Sequence, residues 1–291
     1  MTAIQNRYDF VYLFDIINGN PNGDPDNGNM PRQDINTQAG LVTDVCLKRK
    51  IRNYVQLKGN GAPPYAIYMQ EKAVLNNQHQ LAYEALGITH TPKRLPKDEQ
   101  QARDITAWMC KNFYDVRTFG AVMTTDVNAG QVRGPVQLSF SQSVGPISPH
   151  EITITRSSVT NVRDADKERT MGRKYIVPYG LYRGHGFISA NLAGDETKGT
   201  GFSEGDLELL FEALINMFEH DRSAARMEMN AQRLIVFKHA TALGNHPSHK
   251  LFERVKITPV DGDKIPRTFS DYEVTIDYEN LPAGVEIIEK L

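Results

Sequence analysis

Cysteine is scarce in this chain, and long apolar runs are missing from it. Its 291 residues include two cysteines, Cys46 and Cys110, which are too few for a disulfide framework and lack the paired spacing of a zinc site. We therefore expect both thiols to be reduced and buried, as in a cytoplasmic protein. No apolar run approaches the roughly 18 residues of a membrane-spanning helix, and residues 1–7 do not resemble the start of a signal peptide. The sequence predicts no membrane association.

The familiar catalytic motifs are also absent. The chain has no glycine-rich loop ending in Gly-Lys-Ser/Thr, no His-Glu-x-x-His and no Gly-x-Ser-x-Gly. A loop with Asn22, Asp24 and Asp26 has the first spacings of a calcium site. Asn27 and Gln33 then stand where a calcium loop needs glycine and a bidentate glutamate. We predict no catalytic residues, no metal site and no cofactor.

A strong excess of positive charge is missing too, since the formal net charge is −2. A free-standing nucleic-acid-binding domain is usually strongly basic. The charges are unevenly distributed, however, because 48–52 and 156–183 are basic and 204–221 is acidic. One face could therefore hold phosphates while another meets a neighbouring protein.

Hydrophobic periodicity predicts an α+β chain in which strands and helices alternate in the order strand, helix, strands with insertions, helix, strand. The third helix has the clearest start, because Ser203 and Asp206 form a capping-box pattern. The predicted elements are a strand at 8–17, a helix at 36–57, a short strand at 64–70, a helix at 97–113, a turn into extended chain at 115–123, a strand at 136–143, a hairpin at 150–178, a return to the core at 187–192, a helix from 203, a strand at 233–240 and a C-terminal strand or edge addition at 272–288.

A basic segment on the first predicted helix points to nucleic acid. Lys48, Arg49, Lys50 and Arg52 place four cations within one and a half turns, with Asp44 as the nearby acid. Such a helix can follow a phosphate backbone, because arginine binds phosphate as a fork and lysine as a point charge. An ordinary solvated helix face accounts for the same residues equally well.

Two further features fit RNA. The segment RGHGFISA at 183–190 nearly matches the main signature of the RNA-recognition fold, with His185 at one aromatic position and Ala190 at the other. His185 and Phe187 could stack on bases, although Phe187 also suits a core. In the charged hairpin, Met171 is an apolar side chain able to wedge between bases. The alternative for the hairpin is a flexible surface loop.

Taken together, these segments resemble the backbone subunit of type I-C CRISPR surveillance (Cascade) complexes, over essentially the whole chain. The resemblance is carried by NGNPNGDPDNGNMPRQD after an aromatic strand, TQAG and LKRKIR on the following helix, DVRTFGAVM at 115–123, RGPVQLSFSQSV, and YGLYRGHGFISANLA.

The resemblance implies a single right-hand-shaped domain. Its palm would be a modified RNA-recognition, ferredoxin-like βαββαβ unit, decorated by a helical insertion and a projecting β-hairpin thumb. The implied boundaries are a palm at about 5–58, 114–149 and 179–245, a helical insertion at about 62–113, a thumb at about 150–178 and a C-terminal extension at about 246–291.

The resemblance also implies a function in antiviral defence. Copies of the chain would polymerise head to tail along crRNA in the prokaryotic cytoplasm, grip its phosphates and displace bases at intervals with the thumb. The guide could then pair with target DNA, so that base pairing carries the sequence specificity. The implied partners are crRNA, target DNA through the crRNA, further copies of the chain, the crRNA-processing cap subunit and the large subunit of the type I-C complex.

Site residues follow from the same resemblance. The expected RNA-binding residues are Arg32, Gln38, Lys48, Arg49, Arg52, Arg117 and Phe119. The expected thumb residues are Arg163, Lys167, Arg169 and Met171. We also hypothesise that the acidic segment 204–221, through Glu208 and Glu212, faces a basic patch on the next copy.

Three alternatives remain open from the sequence. The chain could be a metal-dependent endonuclease of guide-paired RNA, with Asp24, Asp26 and Asp34 as candidate metal ligands. It could be a monomeric RNA-recognition module that does not oligomerise on RNA. It could also be a protein-only assembly element whose basic helix is simply solvated.

Overall fold

The computed structural model describes residues 2–166, 170–195 and 197–291. Its architecture is mixed α+β, as the periodicity predicts. The strands are β1 Tyr8–Gly19, β2 Gly23–Asp24, β3 Met30–Pro31, β4 Ala39–Val42, β5 Gly120–Thr124, β6 Asn128–Arg133, β7 Val136–Leu138, β8 Ser141–Pro146, β9 His150–Arg156, β10 Thr170–Ile188, β11 Glu228–His239, β12 Val255–Pro259, β13 Tyr272–Ile276 and β14 Val285–Glu289. The helices are α1 Asp44–Lys58, α2 Leu75–Leu86, α3 Glu99–Asn112, α4 Tyr114–Phe119, α5 Ala190–Gly194, α6 Glu204–Asn216 and α7 Ser248–Phe252.

The central sheet has the strand order β14-β11-β1-β10-β8-β4, and β7 and β9 also pair with β10. All its pairings are antiparallel. The predicted strand at 8–17 is confirmed as β1, which lies between β10 and β11. Its nearly continuous apolar sequence suits this place, because a central strand with both faces covered has no polar face. The C-terminal segment predicted as one element at 272–288 is two strands: β13 pairs with β12, and only β14 joins the edge of the central sheet.

Helices α1 and α6 cover the first face of the sheet. Phe10, Tyr12 and Phe14 alternate along β1 toward this face and pack in one core with Ile51 of α1 and Leu210 of α6. The predicted capping box that starts α6 is confirmed, with its side-chain and backbone hydrogen bonds both formed. Among the described residues, no helix is both long and apolar enough to cross a membrane.

The second face of the sheet is covered by the C-terminal part of the chain. Val11 and Leu13 of β1 point to this face and form a core with Leu251 and Phe252 of α7 and residues of the β12–β13 hairpin. In an RNA-recognition sheet this face stacks on bases. Here the protein itself occupies it.

The near-match to the RNA-recognition signature lies on this covered face. The ring of His185 stacks on Phe252 with centroids 4.2 Å apart, and Phe187 meets the same ring edge to face at 5.7 Å. Arg183 donates hydrogen bonds to the backbone oxygens of Phe252 and Val255, at 2.6 and 3.0 Å. His185 is therefore already stacked on an internal aromatic residue in this conformation, whereas Phe187 is 37% exposed and its stacking on bases stays a prediction.

A second hydrophobic core lies outside the sheet. It is built by α2, α3, α4 and the β5–β6 hairpin, with Tyr83, Ile105, Met109 and Met123 fully buried. This core spans 66–129, so the β5–β6 hairpin belongs to the same packing unit as the predicted helical region at 62–113.

The predicted hairpin at 150–178 is confirmed. β9 pairs with the first part of β10, from His150 opposite Ile176 to Arg156 opposite Thr170. All seven residues of β9 are exposed, so the hairpin projects from the sheet. β10 runs for 19 residues from the hairpin to its pairing with β1 at Ile188. The projecting arm is therefore a direct extension of a core strand.

Several predicted boundaries are wrong. The first helix begins at Asp44 and not at 36, because 39–42 form an edge strand and Thr43 caps the helix by accepting a hydrogen bond from the Cys46 amide. The segment 64–70 is not a strand and makes only one bridge, from Ala66 to Phe113. The segment 114–119 is a helix before the extended chain begins. The strand predicted at 136–143 is two strands, β7 and β8, with a break at 139–140.

Because the second face of the sheet is packed, removing a side chain that fills it should lower the stability of the fold strongly. Phe252 is 6% exposed and contacts three aromatic rings, so Phe252→Ala should destabilise the fold by about 3–5 kcal/mol. Chemical denaturation measures this loss. Ile265→Ala, at a side chain 78% exposed, is the control and should stay within about 0.5 kcal/mol of the wild type. A small effect at both positions would contradict a packed second face.

The pKa of His185 predicts a pH dependence of stability. Burial, and next the charge of Arg183, lower this pKa from 6.5 to about 4, and Nε2 accepts a hydrogen bond from Arg183 Nε at 3.1 Å. Between these two pH values the unfolded chain binds the proton more readily than the folded chain. The contribution of neutral His185 to the free energy of unfolding is thus complete above pH 6.5 and falls as the pH drops toward 4.

The matching measurement is the free energy of unfolding across this pH range for the wild type and for His185→Gln. The variant should show a shallower fall, because one of the groups that is buried neutral has been removed. His79, whose pKa is also lowered by burial, keeps part of the slope in both proteins. Equal slopes would show that His185 is protonated as easily in the fold as in the unfolded chain.

Candidate nucleic-acid interface

A cleft of about 560 Å³ opens at the amino-terminal end of α1. Four parts of the chain form it: the loop that follows β1, the first turns of α1, the break between β7 and β8, and the turn that leads into β11. Its lining includes three arginines, Arg32, Arg49 and Arg226, and the aromatic ring of Phe140. The cleft therefore combines guanidinium groups with an aromatic surface, which is a combination found where proteins bind single-stranded nucleic acid.

The Asn/Gly/Pro/Asp sequence after β1 builds the loop wall of the cleft. Asn22 Oδ1 accepts hydrogen bonds from the backbone nitrogen and the hydroxyl of Thr43, both at 3.0 Å, and so fastens the loop to the start of α1. Asp24 accepts from the Asp26 amide and caps a short 3-10 turn at Pro25–Asn27. Gly28 closes this turn with φ +56°, a conformation that favours glycine.

The carboxylate of Asp221 organises the cations of the cleft. It accepts from Arg226 Nε at 2.6 Å and from Arg49 Nη1 at 3.3 Å, and it also pairs with the ammonium group of Lys50. Burial by itself would raise the pKa of Asp221, but the hydrogen bond from Arg226 and the charges of Lys50 and Arg49 outweigh it and lower this pKa. Three cations thus share one carboxylate, and positive charge is left in excess.

The four cations of the basic helix have different environments. The side chain of Lys50 is fully buried, so it belongs neither to a phosphate-binding surface nor to a solvated helix face. Lys48 and Arg52 are 13% and 15% exposed. Arg49 is 47% exposed. Arg49 is thus the cation of this segment best placed to reach a phosphate.

Lys48 and Arg52 are engaged within the chain. Lys48 pairs with Asp44 at 2.9 Å, and Arg52 Nε donates to Asp115 at 2.7 Å. Both cations also lie against the ring of Phe119, at 5.5 and 5.3 Å from its centroid. Phe119 is 7% exposed and so supports these two side chains from inside the protein.

The structure places Arg117 in the interior. Its guanidinium forms a two-pronged pair with Asp206, at 3.0 and 2.7 Å, and donates to the backbone oxygens of Pro64 and Cys110. It is 4% exposed. Arg117 is thus a structural link between α4 and the start of α6, and it is not available to a phosphate in this conformation.

Two other expected RNA-binding residues lie in the loop after β1. The side chain of Arg32 is partly exposed, with Nη1 3.4 Å from Asp24, and its Nε is buried with no hydrogen bond within the described residues. Gln38 has an exposed side chain at a turn with φ +58°, and its backbone oxygen accepts from the Ile147 amide at 2.9 Å. The structure brings Arg32 into the cleft with Arg49. Gln38 is not among the residues that line the cleft.

Two of the expected thumb residues, Arg163 and Met171, lie on the projecting hairpin. The side chain of Arg163 is 83% exposed, and Met171 is 76% exposed. Lys167 and Arg169 lie outside the described residues. Arg173 and Glu151 form a cross-strand ion pair at 3.1 Å near the base of the hairpin.

Most carboxylates of the acidic segment are paired within the chain. Glu208 pairs with Lys290 at 3.0 Å, and Glu212 accepts from Lys58 and from Tyr54, the latter at 2.7 Å. Asp206 and Asp221 are buried in the pairs described above. Glu208 and Glu212 remain 64% and 38% exposed, so the hypothesis that they face a basic patch on another copy stays a prediction.

Two of the aspartates proposed as metal ligands, Asp24 and Asp34, accept hydrogen bonds from backbone amides of their own turns. Asp34 accepts hydrogen bonds from the Asn36 and Thr37 amides, which lowers its pKa. Asp24 caps the loop and pairs with Arg32. Across the residues that the structure describes, no group of three or more histidines, cysteines or acidic residues could hold a metal ion.

Sequence reasoning missed Arg226 and Phe140, which line the cleft, and Asp221, which holds two of its arginines. Arg226 and Asp221 are brought to α1 by the chain between α6 and β11, and Asp221 is 171 positions away from its partner Lys50. Phe140 stands at the break between β7 and β8 and is 58% exposed. An aromatic residue at an interruption between two strands is a signal that the sequence contains. The signal was lost because one strand was predicted across the whole segment.

A family model described as CRISPR-associated protein Cas7 matches residues 6–277. A curated CRISPR-associated protein Cas7 from Haloferax volcanii is 25% identical over 238 residues, which span 72% of this chain and 63% of that relative. The chain thus spans less than two thirds of the relative's length.

Two solved structures are also similar. A chain of a CRISPR RNA-guided surveillance complex in a pre-nicking state matches with a TM-score of 0.47 and 11% identity, over 79% of this chain and 78% of that one. A chain of a second CRISPR RNA-guided surveillance complex matches with a TM-score of 0.46 and 13% identity, over 79% and 68%. Since the family model covers nearly the whole sequence, this chain belongs to the Cas7 family of CRISPR-associated proteins.

Proposed function

We propose that this chain is a non-catalytic backbone subunit of a type I-C CRISPR surveillance complex, in which copies bind head to tail along crRNA in the prokaryotic cytoplasm. The observation that carries the proposal is the cleft at the start of α1, where Arg32, Arg49 and Arg226 meet beside Phe140. Membership of the Cas7 family and the resemblance of the whole sequence to type I-C backbone subunits support it.

The chemistry of the cleft suits a nucleic-acid backbone of any sequence. Guanidinium groups bind phosphates through paired hydrogen bonds, and an aromatic ring can stack on any base. Asp221 holds Arg49 and Arg226 in place, which reduces the entropy lost when they bind a phosphate. A guide must keep its base edges free to pair with target DNA, so contacts to phosphates and ring faces are the suitable ones.

The topology supports a modified RNA-recognition palm. The order β11-β1-β10-β8, with α1 and α6 packed on one face, follows from two strand-helix-strand units, as in a ferredoxin-like βαββαβ fold. The opposite face is closed by α7 and the β12–β13 hairpin. RNA binding is therefore assigned to the amino-terminal end of α1 and the loop that follows β1, and not to the strands.

The projecting hairpin is assigned as the thumb. It extends a core strand, its outer strand is exposed throughout, and Met171 is an exposed apolar side chain able to wedge between bases. In the assembly, the thumb of one copy would close over the RNA held by the cleft. The remaining partners in the proposal are the crRNA-processing cap subunit, the large subunit and target DNA paired to the guide.

The experiment that tests the proposal is the mass of the purified protein by light scattering, with and without guide-length RNA. We expect particles whose mass grows with RNA length, because each copy covers a fixed stretch of the backbone. A complex of one protein with one RNA, whatever the RNA length, would indicate a simple RNA-binding module. No binding at low salt would exclude an RNA-binding function.

Arg49 and Arg226 should contribute to RNA affinity through phosphates. Arg49→Gln and Arg226→Gln should each weaken binding similarly for all RNA sequences. Each should also reduce the slope of log affinity against log salt by about 0.7 for every phosphate that the substituted arginine no longer neutralises. Binding titrations at several salt concentrations measure both quantities. Lys264→Gln, at a side chain 82% exposed on a distant loop, is the matched control and should change neither.

Met171 should control the arrangement of the bases more than the affinity. With a fluorescent base analogue placed at successive positions of the RNA, the wild type should give bright signals at regular intervals, because a displaced base loses its stacking. Met171→Ala should weaken these signals, and Met171→Leu should retain them because its side chain keeps the apolar bulk. A fluorescence pattern that is the same in all three proteins would rule out Met171 as the wedge.

A further inference from the structure

A groove of about 660 Å³ lies between α3, the β5–β6 hairpin, α5 and the segment 197–199. Leu95, Val122 and Leu192 give it aliphatic walls, and Val122 is 70% exposed. None of the described residues that line it is aromatic, so it lacks the rings on which a nucleic-acid strand would stack its bases. Grooves with aliphatic walls are a common way for a protein to bind an apolar segment of another chain.

The groove is also positively charged. Arg103, Arg133 and Lys198 line it with exposed side chains. Arg103 pairs with Glu99 at 3.2 Å, whereas Arg133 forms no ion pair within the described residues. None of the described residues that line the groove is acidic. By charge and shape, the groove fits a segment that carries aliphatic side chains together with a carboxylate.

The tip of the β12–β13 hairpin, at 260–265, has this composition. Val260 and Ile265 are 68% and 78% exposed, so neither is buried within its own copy. Asp261 pairs with Lys264 at 3.0 Å. The exposed carboxylate of Asp263 has no cationic partner within the described residues. The tip therefore offers two aliphatic side chains and one unpaired negative charge.

The groove lies beyond the end of β10 at Ile188. A neighbouring hollow of about 450 Å³ contains Ile188 and shares Arg133 and Leu192 with the groove. Ile188 pairs with Tyr8, the first residue of β1. The groove is thus at the end of the sheet where β1 begins.

The tip points to the opposite end of the sheet. Val255, at the start of β12, accepts a hydrogen bond from Arg183, whereas Tyr272, near the tip, lies against Tyr179 with ring centroids 6.5 Å apart. The β12–β13 hairpin therefore runs along β10 toward the projecting hairpin. β1 has 12 residues and spans about 40 Å at about 3.3 Å per residue, so groove and tip are separated by most of this length.

We propose that the tip of the β12–β13 hairpin of one copy inserts into the groove of the next copy. Val260 and Ile265 then pack against the aliphatic walls, and Asp263 lies beside Arg133. The inference rests on the proposed function, since it names the protein contact that joins copies along crRNA. Because two different surfaces meet, each added copy leaves one tip and one groove free, and the assembly can continue. Lys264 stays paired with Asp261 and takes no part.

The test compares two RNAs in about 0.15 M salt, which screens distant charges. One RNA is shortened until light scattering shows a single bound copy, and the other holds several copies. The double variant Val260→Ser/Ile265→Ser, and separately Arg133→Asp and Asp263→Arg, should bind the short RNA as the wild type does. On the long RNA each should need about tenfold more protein for half-saturation, because a contact between neighbours is lost.

Reversing both charges together identifies the partner surface. A protein with Arg133→Asp and Asp263→Arg carries the same two charges in exchanged places, and it should assemble on the long RNA to within about threefold of the wild type. Val74→Ser removes an aliphatic side chain that is 58% exposed and lies outside both surfaces. It is the matched control for the tip and should assemble as the wild type. Melting temperatures show that the variants are folded.

Losses that are confined to the long RNA and reversed in the doubly charge-reversed protein support the contact. Single variants that assemble as the wild type, or a double reversal that restores nothing, overturn it while the proposed backbone function stands. Weaker binding of Arg133→Asp to the short RNA also overturns it, because the groove would then hold RNA and not a second copy. A wild type that stays one-to-one on RNA of every length overturns the proposed function and this inference together.

Discussion

The carboxylate of Asp221 is the interaction on which the site depends. Lys50 is buried on the core side of α1, and a buried ammonium group without a carboxylate partner is strongly destabilising. Asp221, in the chain between α6 and β11, supplies that partner. The same carboxylate holds Arg49 and Arg226. One ion-pair network therefore fixes the packing of the two helices and the position of the two arginines that face the cleft.

A second ion pair connects the amino-terminal end of α6 to its neighbours. Arg117 and Asp206 are almost fully buried, and Asp206 also completes the capping box of α6 with Ser203. The pair connects the start of α6 to α4 and so to the second hydrophobic core. Many charges in this protein thus connect its own elements, which agrees with a net charge near zero.

The closed second face of the sheet limits which surfaces remain open to a partner. Phe252 occupies the position at which a base would stack on His185, and Arg183 is used to hold the backbone of α7. With this face of the strands covered, the accessible groups are at the amino-terminal end of α1, in the loop after β1 and on the projecting hairpin. In the proposed function, contacts from these places would reach the backbone and the ring faces of a nucleic-acid strand and leave its base edges free for pairing.

The sequence alone determined the elements with local signals. The apolar run of β1, the period-two pattern of the hairpin and the capping box at Ser203 are each encoded within a few neighbouring residues, and each is predicted correctly. The sequence also identified the loop after β1 and the basic segment at 48–52 as candidates for the site. What only the tertiary structure decided is which cations remain available: Arg49 is exposed, whereas Lys50 and Arg117 are buried against carboxylates 171 and 89 positions away. Burial of a charge depends on a partner that is distant in sequence, and no local pattern records that partner.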